Sequence, residues 1–174
     1  MTENFENKDK ENWYPFYTKP RHEFKALEQI KAMGIKTFLP TITIVKQWSD
    51  RKKKITEPLF KSYIFIKGTE QERNMALTAD AVVKSIFFNG KPATVNEKEM
   101  EDLMQVLKSP EKLKVFNGIA KGVKIKIESG PLKGVEGFVE AINKEESRLL
   151  LAIEMLNRTV SVVIPESIKI TRIK

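Results

Sequence analysis

Apolar side chains recur at two different spacings along the first 108 residues, and the two spacings separate strands from helices. Short apolar runs, some strictly alternating, predict strands. They read WYPFYT (13–18), KTFLP (36–40), TITIVKQW (41–48), ITEPLF (55–60), SYIFIKG (62–68) and VVKSIFF (82–88). The Asn89-Gly90 pair after the last run predicts a tight turn.

Helical spacing appears in three segments between these strands. Residues 70–79 predict a short helix, and Gly34 and Asn96 mark the end of the first helix and the start of the last. The apolar positions are Phe24, Leu27, Ile30 and Met33 in the first helix, and Met100, Leu103, Met104 and Leu107 in the last. The resulting order, β-α-β-β-β-α-β-α, predicts an α+β domain over residues 13–108 with a largely antiparallel sheet and flanking helices.

The remainder of the chain has the pattern of a second, smaller domain. Ser109-Pro110 breaks the last helix, and residues 109–119 predict a linker. Residues 120–174 contain short apolar strands punctuated by glycines, which predicts a small all-β barrel. Residues 145–156 fit helical spacing as well as extended structure, so both forms remain open there.

Composition restricts the class of protein. Of 174 residues, 41% are hydrophobic and 31% charged, which suits a soluble protein with its own core. The absence of cysteine excludes disulfides and thiolate metal sites and favours a reducing cytoplasm. Residues 1–12 lack the apolar segment of a secretory signal and predict a disordered tail, and no apolar run is long enough to span a membrane.

Basic charge is concentrated in one part of the first domain. Residues 19–61 carry 11 basic and four acidic side chains, whereas residues 62–108 carry six basic and seven acidic ones. This asymmetry favours a surface that binds a polyanion such as nucleic acid. Charge that serves solubility alone is the alternative.

The sequence offers little for catalysis. There is one histidine, no cysteine and no glycine-rich phosphate-binding motif. The neighbouring acids Glu101-Asp102 and Glu145-Glu146 are expected to point apart into solvent. We therefore expect no catalytic residues, no cofactor and no metal. A carboxylate enzyme, the alternative, would need acidic side chains clustered in one pocket.

Motifs in both domains resemble one family. KGVKIKIESGPLKGVEGFVEAI resembles the KOW motif, with Gly130 and Gly137 where a small barrel turns its corners. WYPFYTKPR, the helix ending in MGI, and QWSDRKKKITEPLFKSYIFI resemble the N-terminal domain of the NusG family, most closely its specialised antiterminators of RfaH and UpxY type. Lys61-Ser62 replaces the Pro-Gly that is usual in general NusG proteins, which also favours a specialised factor.

The resemblance implies a monomeric, cytoplasmic transcription factor that binds RNA polymerase and reduces pausing and termination at polysaccharide operons. A general NusG-like elongation factor and a KOW-containing ribosomal RNA-binding protein are the alternatives. In the family, an aromatic depression binds the polymerase clamp helices. The matching residues here are Tyr17, Phe60, Tyr63 and Phe65. Simple core filling is the alternative for these side chains.

The resemblance also implies contacts with nucleic acid and with a second protein. Contact with the non-template DNA strand or nascent RNA is expected at Lys19, Arg21, His22 and Lys25, and at Arg51, Lys52, Lys53 and Lys54. Docking of a small-subunit ribosomal protein or the termination factor Rho is expected at Met155, Leu156 and Arg158. The basic loop could instead be merely solvated, and Leu156 could pack inside the barrel.

Overall fold

The computed structural model of the chain describes residues 10–108, 113–118, 121–141, 146–165 and 167–174. These residues form two compact units that divide between Glu97 and Lys98. Residues 1–9 of the expected tail lie outside the described part, and Asn12 already begins the first strand.

The N-terminal unit differs from the predicted order β-α-β-β-β-α-β-α in two respects. Four strands and not three lie between its two helices, and a small hairpin follows the strand after the second helix. Its elements are β1 (Asn12–Thr18), α1 (Glu23–Ala32), β2 (Lys36–Phe38), β3 (Thr41–Gln47), β4 (Lys52–Pro58), β5 (Tyr63–Gly68), α2 (Glu70–Ala76), β6 (Val82–Ser85), β7 (Phe87–Phe88) and β8 (Lys91–Pro92). Asn89 and Gly90 both have positive φ between β7 and β8, as the predicted tight turn requires.

The main sheet of this unit has the strand order β2-β5-β1-β6, and all its pairs are antiparallel. In the pairing of β1 with β5, Phe16 lies opposite Ile64 and Tyr17 opposite Tyr63. Because side chains alternate along a strand, Phe16 and Ile64 point to one face of the sheet, and Tyr17 and Tyr63 point to the other. One face, which includes Phe16 and Ile64, packs with buried residues of α1 and α2 to form the core.

Helix α1 differs from the predicted pattern in one respect. It ends as expected before Gly34, whose φ of 77° suits a glycine. Ile30 is buried as predicted, but Phe24 is 44% exposed and the neighbouring Glu23 is buried instead. The cause of the exchange is a contact with a distant part of the chain, because the Glu23 carboxylate accepts a hydrogen bond from the buried Ser62 amide.

Strands β3 and β4 form a separate two-stranded ribbon. They pair from Thr41 opposite Pro58 to Gln47 opposite Lys52. Near the main sheet, side chains such as Ile44 and Ile55 are partly buried, whereas every residue from Val45 to Lys54 is exposed. The far end of the ribbon is therefore an exposed hairpin tip.

The C-terminal unit contains a six-stranded antiparallel sheet. Its strands are β9 (Lys114–Asn117), β10 (Val123–Ile127), β11 (Glu136–Ala141), β12 (Glu146–Ile153), β13 (Arg158–Pro165) and β14 (Ile170–Arg172), in the order β14-β10-β11-β12-β13-β9. This antiparallel sheet agrees with the all-β domain that we expected, whereas closure into a barrel stays a prediction. Strand β9 falls within the predicted linker, because it pairs with β13 far along the chain.

The segment that allowed two interpretations is extended. Strand β12 pairs with β11 on one side and β13 on the other, and a single 3-10 turn follows at Glu154–Leu156. Gly137 permits the close approach of β11 to β12, since a Cβ atom there would lie 2.7 Å from the Leu150 carbonyl oxygen. The close approach of these two strands is thus the reason why glycine is needed at this position.

Helix α3 (Glu97–Leu107) is attached by hydrogen bonds to the C-terminal unit. Lys98 Nζ donates to the Gly134 carbonyl at 2.8 Å, and Gln105 Nε2 donates to the Lys133 carbonyl at 2.8 Å. The Asp102 carboxylate accepts from the Glu136 amide at 3.2 Å. These contacts explain why the boundary between the units falls after the first residue of α3, whereas the sequence predicted it after this helix.

One carboxylate on α3 should make stability depend on pH. Burial raises the pKa of Glu99 to about 7, and the nearby Glu154 and Asp102 carboxylates act in the same direction. The unfolded chain releases this proton near its ordinary value of 4.5, so folding stability should fall as pH rises from about 4.5 to 7.

We predict that Glu99→Gln stabilises the protein at pH 8 by about 1 kcal/mol, a value reduced for the partial exposure of this side chain. At pH 5 the gain should be small. Urea unfolding followed by circular dichroism measures both values, with Glu101→Gln, an exposed neighbour on α3, as the control. Equal gains at the two pH values would contradict the prediction.

Candidate functional site

The four aromatic residues expected to bind polymerase lie together in the N-terminal unit. Tyr17 and Tyr63 are directly opposite in the β1–β5 pairing, with ring centroids 5.5 Å apart in an edge-on arrangement. Phe60 and Phe65 form a second edge-on pair at 6.2 Å. Because Tyr63 and Phe65 are two residues apart on β5, they share one face of the sheet, opposite the core described above.

Burial divides these four residues into two kinds. Phe60 and Phe65 are 3% and 0% exposed, so they form part of a buried core. Tyr17 and Tyr63 remain partly exposed. A protein partner could therefore touch the two tyrosines directly, while the two phenylalanines support the surrounding structure.

The turn before Tyr63 is fixed by a buried carboxylate. Ser62 has a φ of 64°, a left-handed conformation that glycine adopts more easily than serine. Its amide donates to Glu23 Oε1 at 2.7 Å, and its carbonyl accepts from the Thr18 amide at 2.9 Å. Glu23 thus anchors the point where β5 and its exposed tyrosine begin.

The basic residues at the start of α1 are partly neutralised by one acid. Lys19 Nζ and Lys25 Nζ bind the two carboxylate oxygens of Asp80 at 3.0 and 2.8 Å. These hydrogen bonds, with that of Lys25 the larger influence, lower the pKa of Asp80 to about 2, so the carboxylate is ionised at neutral pH. Arg21 is exposed, and His22 Nδ1 is hydrogen-bonded to the Pro20 carbonyl at 2.9 Å.

A cleft of about 490 Å³ connects this helix start with the base of the β3–β4 ribbon. Arg21 and Lys61 contribute positive charge to its wall, and the exposed Phe24 contributes an aromatic ring. Lys46 and Glu57, which also line the cleft, form an ion pair with each other. Of the basic residues predicted from the sequence, Arg21 lines this cleft, whereas Arg51, Lys52, Lys53 and Lys54 are not among its lining residues.

The second basic segment forms the tip of the hairpin. Arg51, Lys52, Lys53 and Lys54 are all exposed there. Arg51 approaches Asp50 at 3.7 Å, a weak pair on the surface. Within the described part of the chain, no acidic side chain lies in salt-bridge range of Lys52 or Lys54. These two charges are accessible to a polyanion.

The expected docking residues of the C-terminal unit differ in accessibility. Met155 and Arg158 are partly exposed, but Leu156 is only 4% exposed and packs inside the unit. Arg158 Nη1 donates to the carbonyls of Leu156 and Asn157 at 3.3 and 3.2 Å. Of the three residues, Met155 and Arg158 are therefore the ones that a partner could reach.

Other kinds of site find no support in the described residues. No three histidine, cysteine or acidic side chains in this part of the chain converge to hold a metal ion. Likewise, none of the helices seen here is long and apolar enough to cross a membrane.

Sequence reasoning missed three residues that shape these surfaces. Glu23 and Asp80 gave no signal, because their partners lie 39 and at least 55 residues away along the chain. Trp48 is 47% exposed at the hairpin tip, with Lys53 Nζ 5.2 Å from its ring centroid. The one sequence feature that pointed to Trp48 as a surface residue was its position just before the basic run of the predicted hairpin tip.

A family model described as "Transcription termination factor nusG" matches residues 11–104, more than half of the chain. A protein of Pseudomonas aeruginosa named "Transcription termination/antitermination protein NusG" is 25% identical over 152 residues, which cover 82% of this chain and 86% of that protein. A Vibrio vulnificus protein with the same name is 22% identical over 144 residues, covering 78% and 79%.

A solved structure has a similar overall fold. It is described as "Domain interaction in Thermotoga maritima NusG" and aligns with a TM-score of 0.52 over 95% of this chain and 98% of that one. At 23% identity, this likeness concerns the fold alone. It agrees with the mixed α/β architecture and antiparallel sheets described above.

We predict that Glu23→Ala destabilises the protein by about 1–3 kcal/mol, because it leaves the buried Ser62 amide without an acceptor. Glu23→Gln retains an acceptor oxygen and should cost less than about 1 kcal/mol. Urea unfolding measures both, with the exposed Glu28→Ala on the same helix as the control. A loss for Glu23→Ala no larger than that for Glu28→Ala would refute the anchoring role.

We also predict that Asp80→Asn strengthens binding of the protein to DNA. The change releases Lys19 and Lys25 from their ion pairs. The slope of log affinity against log salt should steepen by about one to two units. Fluorescence anisotropy with labelled DNA at several salt concentrations tests this, and Glu28→Gln removes an equivalent charge as control. A slope that Asp80→Asn leaves unchanged would show that these lysines do not meet phosphate.

Proposed function

Because this chain belongs to the NusG family, whose members are transcription factors that interact with RNA polymerase, we propose that it promotes elongation through polysaccharide operons. In this proposal it acts by binding and not by catalysis. It binds the elongating form of polymerase more tightly than the paused form, and that difference in affinity sets the largest effect it can have on pausing and termination.

The observation that supports polymerase binding best is the pair formed by Tyr17 and Tyr63. A partly exposed aromatic pair provides apolar area together with two hydroxyl groups, a combination that is enriched at protein interfaces. The edge-on ring contact limits side-chain motion before binding, which reduces the entropy lost on association. We assign the clamp helices of polymerase as the partner of this surface.

Contact with nucleic acid is the second part of the proposal. Arg21 and Lys61 present positive charge on the wall of one cleft, and the hairpin tip presents a separate cluster of exposed cations. Such charge suits a single strand or upstream duplex held beside polymerase. Lys19 and Lys25 contribute less while Asp80 binds them. We assign the non-template DNA strand or nascent RNA to this surface.

The proposed role at polysaccharide operons is supported by sequence features of the segment that we assign to polymerase binding. Lys61-Ser62 stands where general NusG proteins usually have Pro-Gly, and Ser62 keeps the left-handed conformation that a glycine would adopt without strain. Retention of this turn without its usual residues supports a divergent, specialised factor. A general NusG-like factor is the alternative, and it predicts effects on most transcripts.

A second protein is the partner that we assign to the C-terminal unit. Met155 and Arg158 flank the 3-10 turn and are partly exposed, so they could meet a ribosomal protein or Rho. The guanidinium of Arg158 already contacts two backbone carbonyls of its own turn. Docking through Arg158 therefore requires that it exchange these contacts or use its remaining donors.

We predict that Tyr63→Ala weakens binding to RNA polymerase by about 1–3 kcal/mol, because it removes a partly exposed interface anchor. Tyr63→Phe keeps the ring and should lose less. Biolayer interferometry against purified polymerase measures affinity, and pause lifetimes during transcription in vitro measure the consequence. Phe88→Ala, which removes a 61% exposed aromatic side chain elsewhere in the unit, is the control.

A folded Tyr63→Ala protein with normal polymerase affinity would exclude this surface. In cells, RNA sequencing of the same variant distinguishes a factor specialised for polysaccharide operons from a general elongation factor. Loss of distal transcripts confined to polysaccharide operons supports a specialised factor, whereas loss across most operons supports the general alternative.

A further inference from the structure

We propose that Trp48 is a stacking platform for an unpaired base of single-stranded nucleic acid. The inference rests on the proposed function, since it assigns a ligand to one point of the proposed nucleic-acid surface. Trp48 lies in the four-residue turn between β3 and β4, and the Trp48 amide donates to the Arg51 carbonyl at 2.8 Å. This turn holds the indole at the outermost end of the ribbon.

The ring is exposed and yet held in place. Trp48 is 47% exposed, and Lys53 Nζ lies over its ring, 5.2 Å from the centroid. A cation over one face of an indole restrains the ring by electrostatic attraction. A base can then stack on the indole with less loss of side-chain freedom than a mobile ring would suffer.

The register of the hairpin surrounds this ring with positive charge. Lys46 lies opposite Lys53, Gln47 opposite Lys52 and Val45 opposite Lys54. Residues opposite each other share a face of the ribbon, and successive residues along a strand alternate between its two faces. Lys53 therefore lies on the same face as Lys46 and Trp48, whereas Lys52 and Lys54 lie on the other face. Phosphates on either side of a stacked base can therefore meet a cation on each face of the tip.

Like charges placed opposite each other destabilise a hairpin. Lys46 and Lys53 form such a pair, and Glu57 offsets only the first of them by its ion pair with Lys46. A phosphate backbone would relieve the repulsion among the remaining cations of the tip. The hairpin thus gains most from a ligand that is both anionic and able to stack.

An unpaired strand fits this arrangement better than a duplex. Successive bases of a single strand present open π-faces, and stacking on an aromatic side chain tolerates any base. In a duplex those faces are already stacked on one another, so the indole would meet only groove edges or phosphates. The structure therefore favours a single strand.

Tryptophan fluorescence gives a direct test, because the chain has two tryptophans and Trp13 is only 3% exposed. The full chain is titrated with a 12-nucleotide oligothymidylate, the matching oligouridylate and a 12-base-pair duplex. We expect either single strand to quench the emission, and the duplex to quench it far less. The tighter of the two oligonucleotides identifies the strand as DNA or RNA.

Variants establish which residue stacks. Trp48→Ala should weaken single-strand binding about tenfold, measured by anisotropy of a labelled oligonucleotide, whereas Trp48→Phe should stay within about threefold. Lys52→Gln with Lys54→Gln should reduce the salt slope by about one unit. Lys84→Gln with Lys91→Gln removes the same charge from exposed positions elsewhere and should leave both values unchanged.

Single-strand affinity of Trp48→Ala within about twofold of the wild type would overturn the proposal, as would equal quenching by the duplex. Since the titration contains no polymerase, its failure leaves the tyrosine surface untouched. Conversely, normal polymerase binding by Tyr63→Ala would refute that surface without affecting the stacking result.

Discussion

The antiparallel pairing of β1 with β5 is the constraint on which the N-terminal unit depends. Side chains alternate across a sheet, so this single register directs Phe16 and Ile64 into the core and Tyr17 and Tyr63 to the opposite face. A slip of one residue would exchange the faces, and the core and the tyrosine pair would be lost together. Glu23 secures the register at its end by binding the amide that precedes β5. The contacts that stabilise the fold are thus the same contacts that orient the surface assigned to polymerase.

Acidic side chains moderate the basic surface of this unit. Asp80 binds two lysines at the start of α1, Glu57 binds Lys46, and Asp50 approaches Arg51. Exposed pairs of this kind add little to stability. Their larger effect is on how many cations remain for a polyanion, and hence on the strength of nucleic-acid binding. In the proposed function, moderate affinity for nucleic acid suits a factor attached mainly to polymerase, because a tighter hold on one DNA site would oppose movement along the template.

Local patterns in the sequence predicted the elements, and contacts between distant residues account for what they missed. The glycine after α1 and the Asn89-Gly90 turn were predictable because each depends on its own backbone conformation. Spacing also predicted an apolar face that included Phe24, yet the helix buries Glu23, which serves a serine 39 residues away. For the same reason β9 was hidden within the expected linker, since its partner is β13. The tyrosine pair could be anticipated because both residues lie on recognisable strands, whereas the neutralising Asp80 could not.

The stacking contact proposed for Trp48 can matter only if the chain is also bound to polymerase through another surface. A single stacked base contributes about 1–3 kcal/mol, too little to recruit a protein from dilute solution. If polymerase binds at the proposed tyrosine surface, however, the hairpin tip would meet nucleic acid at an effective concentration on the order of millimolar. A contact needs about 4 kcal/mol to be half occupied at ~1 mM, so stacking reaches substantial occupancy only together with the phosphate contacts of the hairpin tip. If an unpaired strand is accessible at that point in the elongating complex and less so in the paused one, stacking adds directly to the difference in affinity between the two forms. That difference, and not the strength of either contact alone, determines how far the protein can favour elongation.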